Sequence, residues 1–197
     1  VERSIGKNKR TMRFEPVTIK LKNGKEVLIR EASIEDAEEL IKAAKAYLRT
    51  SDYLCSYEDE FDPMMTEEIN WIKSHQNANS LLLVATHEDE ILATFNATGF
   101  QNRKMQHIAV LGISILEECR GQGLGTILFE NLINWAKDNP FLEMLVLETF
   151  SDNADALKLY EKFGFEIDGV RKNYFKGGTN KYSDNVLMSL NVKIEEI

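Results

Sequence analysis

The chain has 197 residues, 43% hydrophobic and 28% charged, with 24 Lys and Arg against 32 Asp and Glu for a net charge of −8. That length suits one domain with a sizeable core, and the acidic balance argues against a nucleic-acid surface, which needs a basic face. No stretch approaches the ~18 continuous apolar residues of a membrane span, no apolar segment follows the basic start as in a signal peptide, and Cys55 and Cys119 share no metal-ligand spacing with the three histidines, so a cytoplasmic protein with reduced thiols and no metal is expected.

Residues 1–12 are polar and basic without periodicity and read as an arm. Val17, Ile19 and Leu21 alternate, Asn23-Gly24 supplies a two-residue turn and Val27 to Arg30 return, which predicts a hairpin. We take 1–26 as an N-terminal arm and hairpin extension and 27–197 as a single domain. Ser33 caps a helix carrying Ile34, Ala37, Leu40, Ile41, Ala44 and Leu48 at 3.6-residue spacing. A loop rich in aromatics and acids spans 51–63, and Thr66 caps a second helix holding Ile69 and Ile72. Strands are predicted at 81–86, 91–98 and 108–115. The last is mostly apolar, so burial on both faces is expected. The next helix carries Leu124, Ile127, Leu128, Leu132 and Trp135 on one stripe and stops at Asn139-Pro140. A buried strand at 144–150, a helix at 153–163 ended by Gly164, and strands at 165–170 and 182–190 complete the chain, the last two joined by a loop with Gly177-Gly178. The order β-β-α-α-β-β-β-α-β-α-β-β predicts a mixed α/β sheet with helices on both faces.

The most informative segment is Arg120-Gly121-Gln122-Gly123-Leu124-Gly125-Thr126, between a strand and a helix. Glycines let backbone approach a ligand closely, and a helix starting there aims free N–H groups and its positive dipole end into the loop. This is a backbone phosphate site with Arg120 beside it. It is not a Walker A loop, because no lysine follows. It is one residue short of the dinucleotide fingerprint and does not open a βαβ unit.

Arg120-x-x-Gly123-x-Gly125 resembles the signature of the Gcn5-related N-acetyltransferase (GNAT) superfamily. Two further stretches agree: Gly112-Ile113-Ser114-Ile115 before the loop, and the helix segment Asn153-x-x-Ala156-x-x-Leu159-Tyr160-x-Lys162-x-Gly164-Phe165. The resemblance covers about residues 27–192. It implies a mostly antiparallel central sheet in which the strand over 108–115 splays from that over 144–150, with the N-terminal hairpin as an addition. It implies acetyl-CoA as co-substrate and transfer of its acetyl group to a primary amine, by direct attack through a tetrahedral intermediate. The pyrophosphate is expected on the N–H groups of Gln122, Gly123, Gly125 and Thr126, within the segment Gly121–Leu124–Thr126, with Arg120 positioning the loop. The pantetheine arm is expected against Ile113, Ser114 and Ile115, with Asn153 bonding it and Tyr160 as the acid to sulfur. Tyr160 also fits a plain core aromatic on an amphipathic helix.

The amine must lose a proton before attack. Many members carry a glutamate for this on the strand before the loop; residues 106–112 contain none. His107, Glu148 or a water chain are the candidates, with a strand-end histidine and a salt-bridged carboxylate as the plainer readings of the first two. Tyr53, Tyr57, Glu58, Glu60, Phe61, Asp62, Tyr174 and Tyr182 are candidate acceptor contacts for a cationic amine, or an ordinary solvated loop. The acceptor is a small molecule or a protein N-terminus. A homodimer is expected by analogy with the fold. Competing readings are a non-catalytic acyl-CoA-binding module and a transferase for a longer acyl group.

Overall fold

The computed structural model describes residues 13–177 and 181–193. The arm at 1–12, and Gly178 in the last loop, lie outside the described residues. Among the described residues, eight strands form one sheet: β1 (Val17–Lys20), β2 (Glu26–Glu31), β3 (Leu81–His87), β4 (Glu90–Gly99), β5 (Ile108–Ile115), β6 (Met144–Phe150), β7 (Glu166–Lys176) and β8 (Tyr182–Asn191). Their order across the sheet is β1-β2-β3-β4-β5-β6-β8-β7. Only β5 and β6 are parallel neighbours. The helices are α1 (Ala37–Thr50), α2 (Met65–Ser74), α3 (Leu124–Asp138) and α4 (Ala154–Lys162), so the element order is the one expected from the sequence.

Adjacent strand residues point to opposite faces, and β4 shows which helices cover which. Tyr47 of α1 meets Thr94, while Phe129 of α3 packs on Phe95 with ring centroids 4.6 Å apart. Phe129 also lies 5.5 Å from Tyr160 of α4. Thus α1 and α2 cover one face and α3 and α4 the other. Phe95, Phe129, Leu128, Leu132 and Leu145 are fully buried at the centre of the second layer. No helix among the described residues is long and apolar enough to cross a membrane.

Several local expectations are corrected. The first hairpin turns through three residues, because Leu21 N–H donates to Lys25 C=O and Gly24 N–H to Leu21 C=O, both at 2.9 Å. Asn23 Oδ1 accepts from Lys25 N–H at 3.0 Å, a local bond that favours this wider turn over a two-residue one. Helix α2 starts before Thr66, since the Glu67 carboxylate accepts the Met64 N–H at 2.8 Å and caps the helix there. Strand β5 is not buried on both faces: Ala109 and Leu111 are buried, but Ile113 and Ile115 only half so. Its surplus apolar surface lines a cleft. Strand β6 alternates too, with Glu148 exposed. Strand β7 runs on to Lys176, past irregular pairing on either side of Arg171.

Candidate active site

Strands β5 and β6 pair over only three positions, from Ile108↔Met144 to Val110↔Val146. Beyond Val110 they part. Phe100 N–H donates to Ile108 C=O, and Leu116 N–H donates to Leu92 C=O. These bonds set the parity of β5: even-numbered residues turn their backbone groups to β4, and Leu111, Ile113 and Ile115 turn theirs into the gap. The result is an open stretch of strand edge inside the sheet, able to take an extended, amide-bearing ligand.

The glycine loop closes one end of this gap. Gly121 and Gly123 have φ of 70° and 93°, a region costly for residues with a Cβ. Gly123 is the N-cap of α3, and Ile127 N–H is the first to bond within the helix, to Gly123 C=O at 3.2 Å. The N–H groups of Leu124, Gly125 and Thr126 therefore point out of the helix end. A Cβ on Gly125 would sit 3.3 Å from both Ile115 and Leu159, so this glycine lets α3 pack closely on β5 and α4. Arg120 holds the loop from behind: Nε donates to Ile115 C=O at 3.1 Å and a terminal nitrogen to Thr50 C=O at 3.3 Å.

Ile113, Ser114, Ile115, Arg120, Gly121, Gly123, Gly125, Thr126, Asn153 and Tyr160 all line one cleft of about 550 Å³. Two expected members do not. The Leu124 side chain is buried in the core, and the Gln122 carbonyl faces the first hairpin, accepting Lys22 N–H at 3.4 Å. Asn153 caps α4, its Oδ1 accepting from Ala156 N–H at 3.3 Å. Tyr160 is 7% exposed, and burial pushes its phenol up to about 12, against a smaller opposing effect from the Thr149 hydroxyl.

Residues 38–165 match the acetyltransferase (GNAT) family. The chain belongs to that family. The Escherichia coli L-amino acid N-acetyltransferase is 29% identical over 92 residues, covering 47% of this chain and 57% of that enzyme. The chain spans between 57% and 65% of the first two curated relatives it matches. A GNAT acetyltransferase structure from Streptococcus pneumoniae superposes with a TM-score of 0.80 at 29% identity, covering 84% of this chain and 99% of that one. A phosphinothricin acetyltransferase from Sinorhizobium meliloti, solved with acetyl-CoA, superposes at 0.72 with 18% identity, covering 84% and 88%.

Within this GNAT fold the remaining candidates separate. Glu148 borders a second cavity, of about 340 Å³, shared with Ile113, Asn153 and Tyr160. It accepts from Arg171 at 3.3 Å and from Asn185 Nδ2 at 2.5 Å. His107 is not brought to the gap: it precedes β5 at the paired end, where its carbonyl accepts the Glu143 and Met144 N–H groups. Four residues of strand, roughly 13 Å, separate it from Leu111. The loop acids are committed elsewhere. Glu58 pairs with Arg49 at 2.6 Å and Asp62 with Lys45 at 3.2 Å, and Glu60 accepts the Tyr57 N–H at 2.9 Å. Tyr53 and Tyr174 border the Glu148 cavity. Tyr57 and Tyr182 line a recess adjoining it, which Tyr53 and Tyr174 also border, and Phe61 lines a third cavity.

Two side chains that the sequence reading passed over face these cavities. Lys22, at the tip of the first hairpin, lines the glycine-loop cleft, its Nζ 3.5 Å from Gly121 C=O. Only tertiary structure joins it to a loop 99 residues away. Glu68, on α2, is 9% exposed and lines the third cavity. Its signal was present in the sequence: Glu68, Ile72 and His75 share a helical face, and all three are buried. A charged residue on a buried stripe is the exception to explain. Among the described residues no group of three or more His, Cys, Asp or Glu is arranged to hold a metal ion.

Proposed function

We propose that this protein transfers the acetyl group of acetyl-CoA to a primary amine, by direct attack through a tetrahedral intermediate, and that residues 27–197 act as one acetyltransferase domain, to which the preceding hairpin adds Lys22. The observation that carries this reading is the gap between β5 and β6, with the glycine loop and the free N–H groups of α3 at its end. The loop N–H groups bind the pyrophosphate, with Lys22 as an added cation. Arg120 acts through its two backbone bonds as a positioning residue. The pantetheine amides pair with the gap-facing groups of Ile113 and the N–H of Ile115, whose carbonyl Arg120 already holds, and a β5 N–H polarises the acetyl carbonyl. The amine, having lost a proton, attacks the carbonyl carbon, and the C–S bond breaks as the amide forms. Glu148 is committed to Arg171 and Asn185, so we assign the amine's deprotonation to water.

Tyr160 is the residue that meets the leaving sulfur. Burial raises its phenol to about 12, so the hydroxyl stays protonated at neutral pH and serves as the acid to sulfur, donating a hydrogen bond to the departing thiolate as charge builds there. The proton shed by the amine balances the one that sulfur takes up. Free-thiol release from acetyl-CoA across a panel of polyamines, amino acids, aminoglycosides and N-terminal peptides tests the reading. Acetyl-CoA binding without release on any of them would favour a non-catalytic module.

We also propose a cytoplasmic homodimer. The free thiols of Cys55 and Cys119 support a reducing compartment. Strand β7, at the sheet edge, exposes Ile167 and Val170, a surface that favours pairing. Sedimentation equilibrium giving only the monomer mass would remove the dimer.

A further inference from the structure

The third cavity, of about 430 Å³, lies on the α1–α2 side of the sheet. Its floor is Thr94 and Asn96 of β4 with Gly112 and Ser114 of β5, which are register partners on one face. Gly112 opens that floor, since a Cβ there would lie 2.8 Å from Asn96 Oδ1. The roof is Tyr47 of α1 with Glu68 and Trp71 of α2. The volume far exceeds the ~30 Å³ share of one water. Leu54 and Ile113 border all three cavities, so this one opens onto the gap where the acetyl group is delivered.

Two polar groups in the roof lack partners. Among the described residues no ion pair or side-chain hydrogen bond reaches the Glu68 carboxylate, and burial alone raises its pKa above the usual carboxylate value. The Tyr47 hydroxyl is buried without a hydrogen-bond partner, the nearby Thr94 hydroxyl failing to bond it in good geometry. The Tyr47 hydroxyl is closed off from the cavity, but the Glu68 carboxylate keeps access to it. Carboxylates in so enclosed a place are normally paired, so a cation supplied by the ligand would satisfy Glu68, and Trp71 beside it offers an aromatic face.

Resting on the acetyl-transfer reading, we propose that Glu68 forms a cation subsite of the acceptor pocket: one ammonium of an aliphatic diamine docks there, its alkyl chain crosses the apolar middle of the cavity, and its second amino group reaches β5 at Gly112–Ile113 to attack. The carboxylate sits on the roof helix and the acetyl group meets the floor strand, so two amino groups on one chain serve both.

The test is thiol-release kinetics with diaminobutane and its isostere aminobutanol, whose only productive pose puts its hydroxyl at Glu68, with calorimetric titration of diaminobutane into the CoA-bound protein in parallel. Diaminobutane should have a kcat/KM at least about tenfold higher, the scale of one charge-assisted hydrogen bond. Glu68→Gln should weaken diaminobutane binding and bring the kcat/KM ratio of the two acceptors close to one. Equal kcat/KM in the wild type, or a preference surviving Glu68→Gln, overturns the subsite. If circular dichroism shows Glu68→Gln unfolded, Glu68→Asp, which draws the charge back by one methylene, must lower diaminobutane affinity; no change overturns it. Diamine binding without thiol release would sink acetyl transfer and leave the subsite standing. Acetylation of other amines with no diaminobutane binding would do the reverse.

Discussion

Replacing Tyr160 by Phe removes one buried oxygen and leaves the ring packing with Phe129 and Phe165 intact. If the hydroxyl bonds the leaving thiolate, its loss removes a hydrogen bond to a charged atom, about 1.5–3 kcal/mol, so kcat should fall by roughly 10- to 150-fold. Acetyl-CoA affinity should change little, since the thioester sulfur of the bound co-substrate is a poor acceptor. A second readout comes from alkaline stability. Burial raises the Tyr160 phenol from 10.0 to about 12, so the unfolded chain ionises first. The folded state therefore loses stability as pH rises from about 10 to about 12, by up to about 2.7 kcal/mol from this group. Tyr160→Phe should flatten that part of the curve. The raised Tyr47 phenol acts in the same direction, so the difference between the two proteins isolates Tyr160. The assays are thiol-release kinetics at saturating acetyl-CoA and urea unfolding from pH 8 to pH 11. Full activity in Tyr160→Phe refutes the role at sulfur; an unchanged alkaline slope refutes the buried, neutral phenol.

Gly123→Val places a β-branched residue at a φ of 93° beside the phosphate loop; the strain, at least about 1–2 kcal/mol, and the added bulk should abolish acetyl-CoA binding by calorimetry, and unchanged affinity would contradict the loop assignment. Lys22→Ala should weaken acetyl-CoA binding several-fold, about 1 kcal/mol for an exposed charge near a phosphate, and the loss should shrink as salt rises past 0.1 M, on the order of a 10 Å screening length. Asp36→Asn removes the charge and one of the two oxygens that accept 2.7 Å bonds from Arg30 and join β2 to the start of α1. It should cost about 1–3 kcal/mol by urea unfolding. Burial raises the Asp36 carboxyl, but Arg30 and the Ser33 N–H outweigh it and hold it below the usual 3.8, so this stability is present above that pH and is lost as pH falls through the depressed value.

Element order and helix faces were legible because they rest on periodicity, which α3 and α4 carry cleanly with Leu128, Leu132 and Tyr160 buried on their stripes. Turn type and caps were less legible. Asn23-Gly24 is compatible with two hairpin loops, and the bond from Lys25 to Asn23 decides between them. At α2, Glu67 reaches back to Met64 and displaces the cap from Thr66. Strand β5 misled for a physical reason: its apolar run meant burial, but half of that burial is reserved for a ligand, so Ile113 and Ile115 stand half-exposed.

The site divides the same way. What the sequence made visible was backbone, because glycines and a helix start betray a phosphate loop whatever the side chains do. Side chains near it were less legible. Arg120, expected to position the loop, binds the carbonyls of Ile115 and Thr50. The loop acids Glu58, Glu60 and Asp62 have local partners, whereas Glu68, one helix on, has none. A charge is free for a ligand only when the fold leaves it unpaired, and pairing is a tertiary fact. Lys22 makes the same point from the other side: a lysine at a hairpin tip is unremarkable until the sheet sets that tip against Gly121 and Gly123. Recognition of the co-substrate is thus written in local sequence, and recognition of the acceptor in which charges the fold leaves over.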